Sequence, residues 1–338
     1  VYLDAAFFPN IDELSFKQEG HRFNVLEDPE SGVELEYKGV VYNEMKGAMS
    51  SPNQVLGRAL LSGLYPDTTY KNNSGGEPSD IPKLTWEGLK GFHARYYHPS
   101  NAFFYTYGNL PLEDSLAFIS QKVLHRFDFL EVNSKVPSQP RWDTPRQGKK
   151  AYPFSDPQEA EKKYQACVAW LTCDARDSFE ILVLSVLEQV LLGNSASPLR
   201  KALIDSRLGS ALSDSSGFDP DNRDAMFACG LKDIKKDDIE KVEAIIFSTL
   251  QGLCDKGIDK TLIESAIHQI EFHRKEITNT PYPFGIKLLL SFAGTLIHDG
   301  DPVACINIDQ DIARLKDRVD KGPFLEQRIR RYFLDNPH

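Results

Sequence analysis

Two stretches of the sequence, NAFFYTYGNLPLEDSLAFI at residues 101–119 and DAMFACGLKDIKKDDIEKVEAII at residues 224–246, share one pattern. Each begins with an apolar run, passes a glycine and a short acidic loop, and continues with apolar residues three and four positions apart. The apolar run is typical of a β-strand, and apolar residues three and four positions apart are typical of an amphipathic helix. Because strands are mixed with runs of helices rather than strictly alternating with them, the sequence predicts an α+β fold.

A proline-rich segment separates the two copies of this pattern. Residues 131–160 hold five prolines, which is typical of a boundary between domains. The 338 residues suffice for about two domains of ordinary size. The sequence therefore predicts a first domain at 1–130, a linker at 131–160, a second domain at 161–322 and the start of a helical connector at 323–338.

Upstream of the first copy, helix and turn signals alternate. Residues 39–62 predict a helix that SSPN interrupts, with Asn53 as the N-cap of its second part. Residues 63–83 predict a loop, and Thr85 is expected to cap the helix that follows. The N-terminal VYLDAAFFPN begins inside an amphipathic helix and has no signal-peptide pattern, so Val1 is not expected to be the natural start of the protein.

The second half predicts three strands and several helices. From their periodicity we expect strands at 162–173, 209–218 and 224–232, and helices at 178–193, 197–206, from Lys236 to about Asp255 and from Lys260 to about Ile277.

Composition excludes several classes of function. The net charge of −10, without a cluster of lysines and arginines, argues against a nucleic-acid binder. No apolar run approaches the ~20 residues that span a bilayer, and GIKLLLSFAGTLI at 285–297 predicts a buried helix. The five cysteines are scattered and include no C-x-x-C pair, which argues against structural disulfides and a cysteine zinc site. An intracellular reducing compartment fits this usage.

The residues alone predict no complete active site. The zinc motifs H-E-x-x-H and H-x-x-E-H are both absent. His268 and His273 are five residues apart, which turns the second ring about 140° around a helix and away from the first. His98 is expected to cap a turn, and Arg200 with Lys201 to form a solvated face. By itself, Glu44 in KGVVYNEMKG at 38–47 is either a solvent-facing helix residue or one ligand of a metal site.

Four stretches give this glutamate a sharper interpretation: KGVVYNEMKGAM at 38–49, SGGEPSDIPKLTWEGLKGFHARYYHPSNAFFYTYGN at 74–109, LLGNSASPLRKALIDSRLGSAL at 191–212 and HDGDPV at 298–303. Together they resemble the presequence proteases, a branch of the pitrilysin/insulinase family of inverted-zincin metallopeptidases. The resemblance covers nearly the whole chain. It implies two related domains, each with helices on one face of a mainly antiparallel sheet, the first of them incomplete.

The resemblance also implies a zinc site. In that family two histidines of H-x-x-E-H and a glutamate on a later helix bind zinc, and the motif glutamate is the general base. The later glutamate matches Glu44, which becomes the one expected metal ligand of this chain. No catalytic or other cofactor-binding residue is expected here, since H-x-x-E-H would lie upstream. A supporting glutamate of many relatives is matched by Tyr37.

The implied function is that of a zinc metalloendopeptidase that degrades short unstructured peptides, such as cleaved targeting peptides, in a closed chamber. The expected partners are those peptides and the missing N- and C-terminal parts of the same protein, in a mitochondrial matrix, a plastid stroma or a bacterial cytoplasm. This chain alone is expected to be inactive. The alternative is a non-catalytic structural or substrate-holding member of the family. The first domain is expected to expose apolar surface around Val40, Val41 and Phe103.

Overall fold

The computed structural model describes residues 1–28, 32–154, 160–277 and 282–338. Helices and short antiparallel strands make up the regular structure, which confirms the α+β class. The strands are β1 (Arg22–Asp28), β2 (Gly32–Lys38), β3 (Tyr164–Asp174), β4 (Ala211–Leu212), β5 (Gly217–Asp219) and β6 (Asp224–Ile234). The α-helices are α1 (Tyr2–Phe7), α2 (Glu13–Ser15), α3 (Val40–Ala48), α4 (Pro52–Leu64), α5 (Trp86–Tyr96), α6 (Leu112–Lys122), α7 (Ser178–Leu192), α8 (Pro198–Asp205), α9 (Ile239–Lys256), α10 (Lys260–Lys275), α11 (Phe284–Ile297), α12 (Pro302–Ile306), α13 (Asp309–Asp320) and α14 (Phe324–Ile329).

The chain divides into two compact units. Unit 1 comprises Val1–Ser51 and Asn72–Lys135, and unit 2 comprises Pro52–Lys71 and Val136–His338. The segment Pro52–Lys71 thus belongs with the second half of the chain, although it precedes the expected linker. The domain boundaries drawn from the sequence at 130, 160 and 322 remain predictions.

Unit 2 is built on an antiparallel sheet whose central strand is β6. β3 pairs with one edge of β6, and the short β4 and β5 pair with the other edge. The predicted strand at 209–218 is therefore split into β4 and β5, whereas the strands predicted at 162–173 and 224–232 are confirmed. Trp170 lies opposite Phe227 in the register, and both side chains face the main core.

The main core of unit 2 lies between one face of this sheet and the helices. The helix α7 is buried along most of its length, and Leu184 and Leu187 are fully buried. Side chains from α9, α10, α13 and α14 complete the core. At the start of α7, buried Glu180 accepts hydrogen bonds from Arg328 at 2.7 Å and from the Tyr332 hydroxyl at 2.8 Å, which ties α7 to the C-terminal segment.

The opposite face of the sheet is covered by α4. Leu64 and Tyr65, both buried, pack there with Leu171 of β3 and Met226 of β6. The predicted N-cap at Asn53 is wrong, because α4 begins at Pro52 and Asn53 is its second residue. The Asn53 side chain instead donates to Asp214 and accepts from Gln165, two residues far away in sequence.

Part of the proline-rich segment is anchored to unit 2. Gln139 is 1% exposed, and its backbone N–H donates to Asp224 Oδ2 at 2.8 Å. Arg141 donates to the other carboxylate oxygen of Asp224 at 2.9 Å, and the Tyr65 hydroxyl donates to the Asp224 carbonyl at 2.7 Å. The buried Asp224 thus holds this segment and α4 at the start of β6.

Unit 1 buries far less of its apolar surface. Its β1–β2 hairpin places Phe23 opposite Tyr37 and Val25 opposite Leu35 on one face, and all four side chains are exposed. Among the described residues of unit 1, the buried hydrophobic side chains are those of Ile81 and Val123. The expected exposure of Val40, Val41 and Phe103 is confirmed, at 53%, 38% and 65% respectively.

The strand predicted at residues 101–109 is not formed. In the described part of the chain this segment pairs with no other strand, and Phe103 and Tyr107 are exposed. A strand persists only where a neighbour satisfies its backbone N–H and C=O groups, and alternation of side chains cannot supply that neighbour. The predicted cap of the next helix upstream is confirmed, since Thr85 Oγ1 accepts from the Gly88 N–H of α5 at 3.1 Å. Among the described residues, no helix combines the length and apolar character required to cross a bilayer.

Candidate functional site

The candidate metal ligand Glu44 lies in the second turn of α3. Gly39 precedes this helix, and its carbonyl accepts the first helical hydrogen bond from the Asn43 N–H at 2.9 Å. Glu44 is exposed, and its carboxylate makes no hydrogen bond or ion pair with another described residue. Val40 and Val41 precede it by four and three positions, so they share its side of the helix and are exposed with it. The carboxylate therefore stands beside an uncovered apolar patch.

The opposite side of α3 faces the rest of unit 1. Tyr42, Met45 and Met49 are half-buried there. The Tyr37 ring, at the position that matches a supporting glutamate in many relatives, stacks on Phe23 at 4.8 Å and lies 6.0 Å from the Tyr42 ring. Tyr37 therefore has a packing role in this structure and adds no carboxylate near Glu44.

A carboxylate oxygen is a suitable zinc ligand, and nothing in the described structure competes for Glu44. A protein zinc site, however, needs at least three ligands from His, Cys, Asp or Glu side chains. The described residues contain no group of three or more such side chains that could hold a metal ion. Glu44 thus fits the role of a single ligand, and the described residues do not by themselves form a zinc site.

Three of the histidines considered in the sequence make hydrogen bonds with backbone groups. His98 Nδ1 accepts from the Ser100 N–H at 3.1 Å, which confirms the expected cap. The His93 ring contacts the Ala6 carbonyl at 2.8 Å, and the His273 ring contacts the Gln269 carbonyl one turn earlier on its own helix at 2.7 Å. Arg200 and Lys201 are both exposed, which confirms the expected solvated face, and Arg200 also donates to the Leu192 carbonyl at 3.4 Å.

Unit 1 also carries an open apolar cavity of about 560 Å³. It lies between α1, α6 and the extended segment that carries Phe103. Its lining includes the side chains of Leu3, Phe103, Tyr105, Leu110, Phe118 and Ile119. The alternating aromatic residues of the 101–119 stretch were the sequence signal for this surface.

A polar cluster in unit 2 was not expected from the sequence. The His298 Nε2 and the Tyr70 hydroxyl lie 2.7 Å apart, and the same hydroxyl accepts from the Arg223 N–H at 3.0 Å. Burial lowers the pKa of His298, and the nearby Arg223 charge lowers it further. Burial alone would raise the pKa of Asp174, but hydrogen bonds from Arg176 and Arg223 outweigh it and hold that pKa well below its usual range. Only HDGDPV at 298–303 marked this region in the sequence.

Comparison with known proteins places the chain in a family. The family model described as the peptidase M16 inactive domain matches residues 83–270. The chain belongs to the M16 peptidase family. The match covers part of unit 1 and most of unit 2, and it confirms the family that the sequence motifs indicated.

Individual M16 relatives match the chain throughout its length. It is 40% identical to the mitochondrial presequence protease of Danio rerio over 340 residues, which cover 100% of this chain and 33% of the relative. It is 37% identical to presequence protease 1 of Arabidopsis thaliana, described as chloroplastic/mitochondrial, over 100% of this chain and 32% of that protein. A bacterial relative, protein HypA of Clostridium perfringens, is 36% identical over 100% of this chain and 34% of its own length. The chain thus spans about a third of the length of these relatives.

Solved structures support the M16 fold. The peptidase M16 inactive domain from Pseudomonas fluorescens has a TM-score of 0.65 at 16% identity, covering 88% of this chain and 68% of that one. A protease from Helicobacter pylori has a TM-score of 0.59 at 16% identity, covering 97% and 83% respectively. At such identities these likenesses concern the fold alone.

Proposed function

We propose that this chain is part of a zinc-dependent metalloendopeptidase that degrades short unstructured peptides, such as cleaved targeting peptides, in a closed chamber. The observation that carries the proposal is the match to presequence proteases along the whole chain, at 40% identity to the protein from Danio rerio. Glu44, free and exposed on α3, is compatible with a role as one zinc ligand. The remaining ligands and the general base are proposed to lie outside this chain.

The contribution of this chain to the chemistry is proposed to be a single anionic ligand held on a short helix. Zinc, when bound, polarises the peptide carbonyl and activates water for attack on it. Glu44 would hold the metal through a carboxylate oxygen and offset part of its charge. Val40 and Val41 would keep bulk water from that side of the ligand once another part of the protein covers them.

Substitution of the ligand tests the proposal in the intact protein. Glu44→Gln keeps the size of the side chain but replaces an anionic oxygen by a neutral amide, which binds zinc more weakly. We expect zinc content and peptidase activity to fall together, with the loss of zinc measured by atomic emission on the purified protein. Glu87→Gln on α5, another exposed glutamate of unit 1, is the charge-matched control and should retain both. Full zinc occupancy in Glu44→Gln would refute the assignment.

The chain alone is expected to be inactive. The sequence lacks H-x-x-E-H, and the described residues contain no group of three or more potential ligands, so the proposed site is incomplete in them. We therefore expect no cleavage of a fluorogenic unstructured peptide in the presence of zinc. Cleavage that co-purifies with the chain and stops on addition of a chelator would contradict this expectation.

A second candidate is a non-catalytic structural or substrate-holding member of the family. The observation in its favour is that the matching family model is described as an inactive domain. The two candidates differ in the sequence before Val1 in the intact protein. H-x-x-E-H with zinc bound favours the peptidase, whereas its absence favours the substrate-holding role.

The proposed setting follows from the relatives and the cysteines. The relatives named above include mitochondrial and chloroplastic proteins, and one is bacterial. All five cysteines are free, which is compatible with a reducing compartment such as the mitochondrial matrix, the plastid stroma or the bacterial cytoplasm. Unstructured peptides remain the proposed partners.

A further inference from the structure

Two of the three methionines of the chain lie on the inner side of α3 and face a single turn. Met45 and Met49 are four residues apart, so their side chains project from the same side of the helix. Met49 Sδ accepts a weak hydrogen bond from Asn73 Nδ2 at 3.9 Å. A Cβ atom added at Gly75 would overlap Met45 Sδ and lie 3.0 Å from its Cε. The turn Asn73–Gly76 therefore rests directly on both sulfur atoms.

The shape of this turn depends on its own residues. Asn73 Oδ1 accepts from the Gly75 N–H at 3.2 Å, and the Asn73 carbonyl accepts from the Gly76 N–H at 2.9 Å. Gly76 has a φ of +92°, which glycine adopts without strain, and a Cβ there would lie 2.9 Å from Ile81 Cγ1. Ile81 is one of the few buried residues of unit 1. Ile81 thus fixes the position of the turn, and at Gly75 only backbone atoms of the turn face α3.

The start of α3 is held by a second close approach. A Cβ at Gly39 would overlap the carbonyl oxygen of Gly20, so the backbones of these two glycines are in contact. The helix is therefore held at its N-cap by Gly39, in its second turn by Met45 and at its C-cap by Met49. Glu44 directly precedes Met45 in the sequence. Successive residues of an α-helix are rotated by about 100°, so holding Met45 in place also fixes the direction in which Glu44 leaves the helix.

We propose that the Asn73–Gly76 turn is a positioning element for Glu44, and that Gly75 has this role because a Cβ atom there would push the flexible Met45 thioether out of the contact through which the turn holds α3. The relevance of this element to zinc rests on the proposed function, but its effect on the helix does not. The residues of the turn are positioning residues, since none of them is a ligand.

Hydrogen exchange measured on this chain by mass spectrometry tests the effect on the helix. We expect Gly75→Ala to accelerate exchange in α3 roughly tenfold, because the added methyl group expels the Met45 thioether from the contact that holds the helix. In a Met45→Ala background, where the thioether is gone, Gly75→Ala should cause no further acceleration. This non-additivity is the signature of direct contact.

Two controls make the test specific. Gly76→Ala disturbs the same turn through its positive φ and Ile81, so it should accelerate exchange equally in both backgrounds. Gly91→Ala in α5 of unit 1, where no atom lies within 4 Å of the added Cβ, should leave α3 unchanged. Exchange in α7 of unit 2 serves as the internal standard. An unchanged exchange rate of α3 in Gly75→Ala would overturn the proposal. An equal effect of Gly75→Ala with and without the Met45 side chain would also overturn it. So would global unfolding of unit 1 that Met45→Ala fails to relieve.

The intact protein links the element to the metal. Gly75→Ala should weaken zinc affinity roughly tenfold, the usual scale for residues that orient a ligand. In a Met45→Ala background, Gly75→Ala should cause no further loss of zinc affinity. If Glu44→Gln keeps its zinc while the exchange results hold, the proposed function fails and the positioning of the helix stands. If zinc depends on Glu44 but the exchange results fail, this inference alone is wrong.

Discussion

The two units of the chain differ in how far their apolar side chains are buried. In unit 2 the side chains of Leu184, Leu187 and Phe227 are essentially inaccessible, within a core that covers one whole face of the sheet. In unit 1 comparable side chains remain in contact with solvent, as Phe103 at 65% and Leu35 at 65% show. Burial contributes about 25 cal/mol per Å² of apolar surface, so the same kinds of residues stabilise unit 2 and contribute little to unit 1.

An apolar pattern in a sequence can therefore indicate either a core or an uncovered surface. In α7 it marks a core that the described residues complete by themselves. In α3 and in the segment around Phe103 it marks a surface for which the described residues supply no cover. Extended apolar surface of this kind usually indicates an interaction site.

Limited proteolysis should give the largest contrast between the units. We expect early cuts in unit 1 and a resistant product that begins near Val136, because cleavage requires local unfolding and unit 1 has few buried contacts. Since Tyr65 is fully buried in unit 2, the peptide Pro52–Lys71 should stay bound to that product. Native mass spectrometry after a brief digestion would detect it.

A resistant fragment from unit 1, combined with rapid digestion of residues 160–338, would reverse the inferred order of stability. Loss of the 52–71 peptide from an otherwise intact product would show that α4 does not belong to the core of unit 2.

A pair of matched substitutions should give the next largest contrast. Leu187→Ala removes a fully buried side chain and should lower the free energy of unfolding of unit 2 by about 2–5 kcal/mol. Leu35→Ala removes a side chain that is 65% exposed and should change stability by about 0.5 kcal/mol or less. Urea unfolding followed by the fluorescence of buried Trp170 measures the first, and hydrogen exchange in β1 and β2 measures the second. Equal effects would erase the distinction between the units.

The smallest expected effect is a pH dependence confined to unit 2. Burial and then Arg223 lower the pKa of His298, Arg176 acts in the same direction, and Asp174 and Asp224 act in the opposite one. Below the ordinary histidine pKa of about 6.5, the unfolded chain takes up a proton that the folded unit resists. The free energy of unfolding should therefore fall as the pH drops below about 6.5.

His298→Gln should reduce the slope of the free energy of unfolding against pH relative to the parent chain. Half-buried Glu188, whose pKa is raised by burial, acts in the opposite direction, and His338, whose pKa is lowered by burial, acts in the same direction as His298. Both are present in both proteins and cancel in the comparison. His273→Gln, on an exposed part of α10, is the control and should leave the slope unchanged. If the free energy of unfolding depends on pH in the same way in His298→Gln and in the parent chain, the role given to this histidine is contradicted.

Features encoded by neighbouring residues were predictable from the sequence. The strands β3 and β6 and the helices α7, α9 and α10 follow from periodicity, and Thr85 and His98 act as the caps that their local sequences indicate. The helices and caps depend on side-chain spacing and on hydrogen bonds within four residues, so a single sequence contains the necessary information. The strands β3 and β6 show the apolar pattern of a strand and also have each other as partners.

Features that depend on distant partners were not predictable in this way. Asn53 was expected to cap a helix but bonds to Asp214 and Gln165, and residues 101–109 look like a strand but have no neighbour in the described structure. The anchoring of Gln139 by Asp224 joins residues 85 positions apart. For Glu44 the sequence motif gave the candidate, while the structure adds its exposure and the turn on which its helix rests.

The placement of α4 in unit 2 has a consequence for synthesis of the protein. The Tyr65 hydroxyl bonds to the backbone of Asp224, which is 159 residues later in the chain. At roughly 5–20 residues per second, a ribosome needs about 8–30 s to produce that partner after it has made Tyr65. During this time the apolar side of α4, including Val55, Leu64 and Tyr65, has no sheet to cover it. The nascent chain should therefore carry an uncovered apolar surface on this helix until β6 is complete.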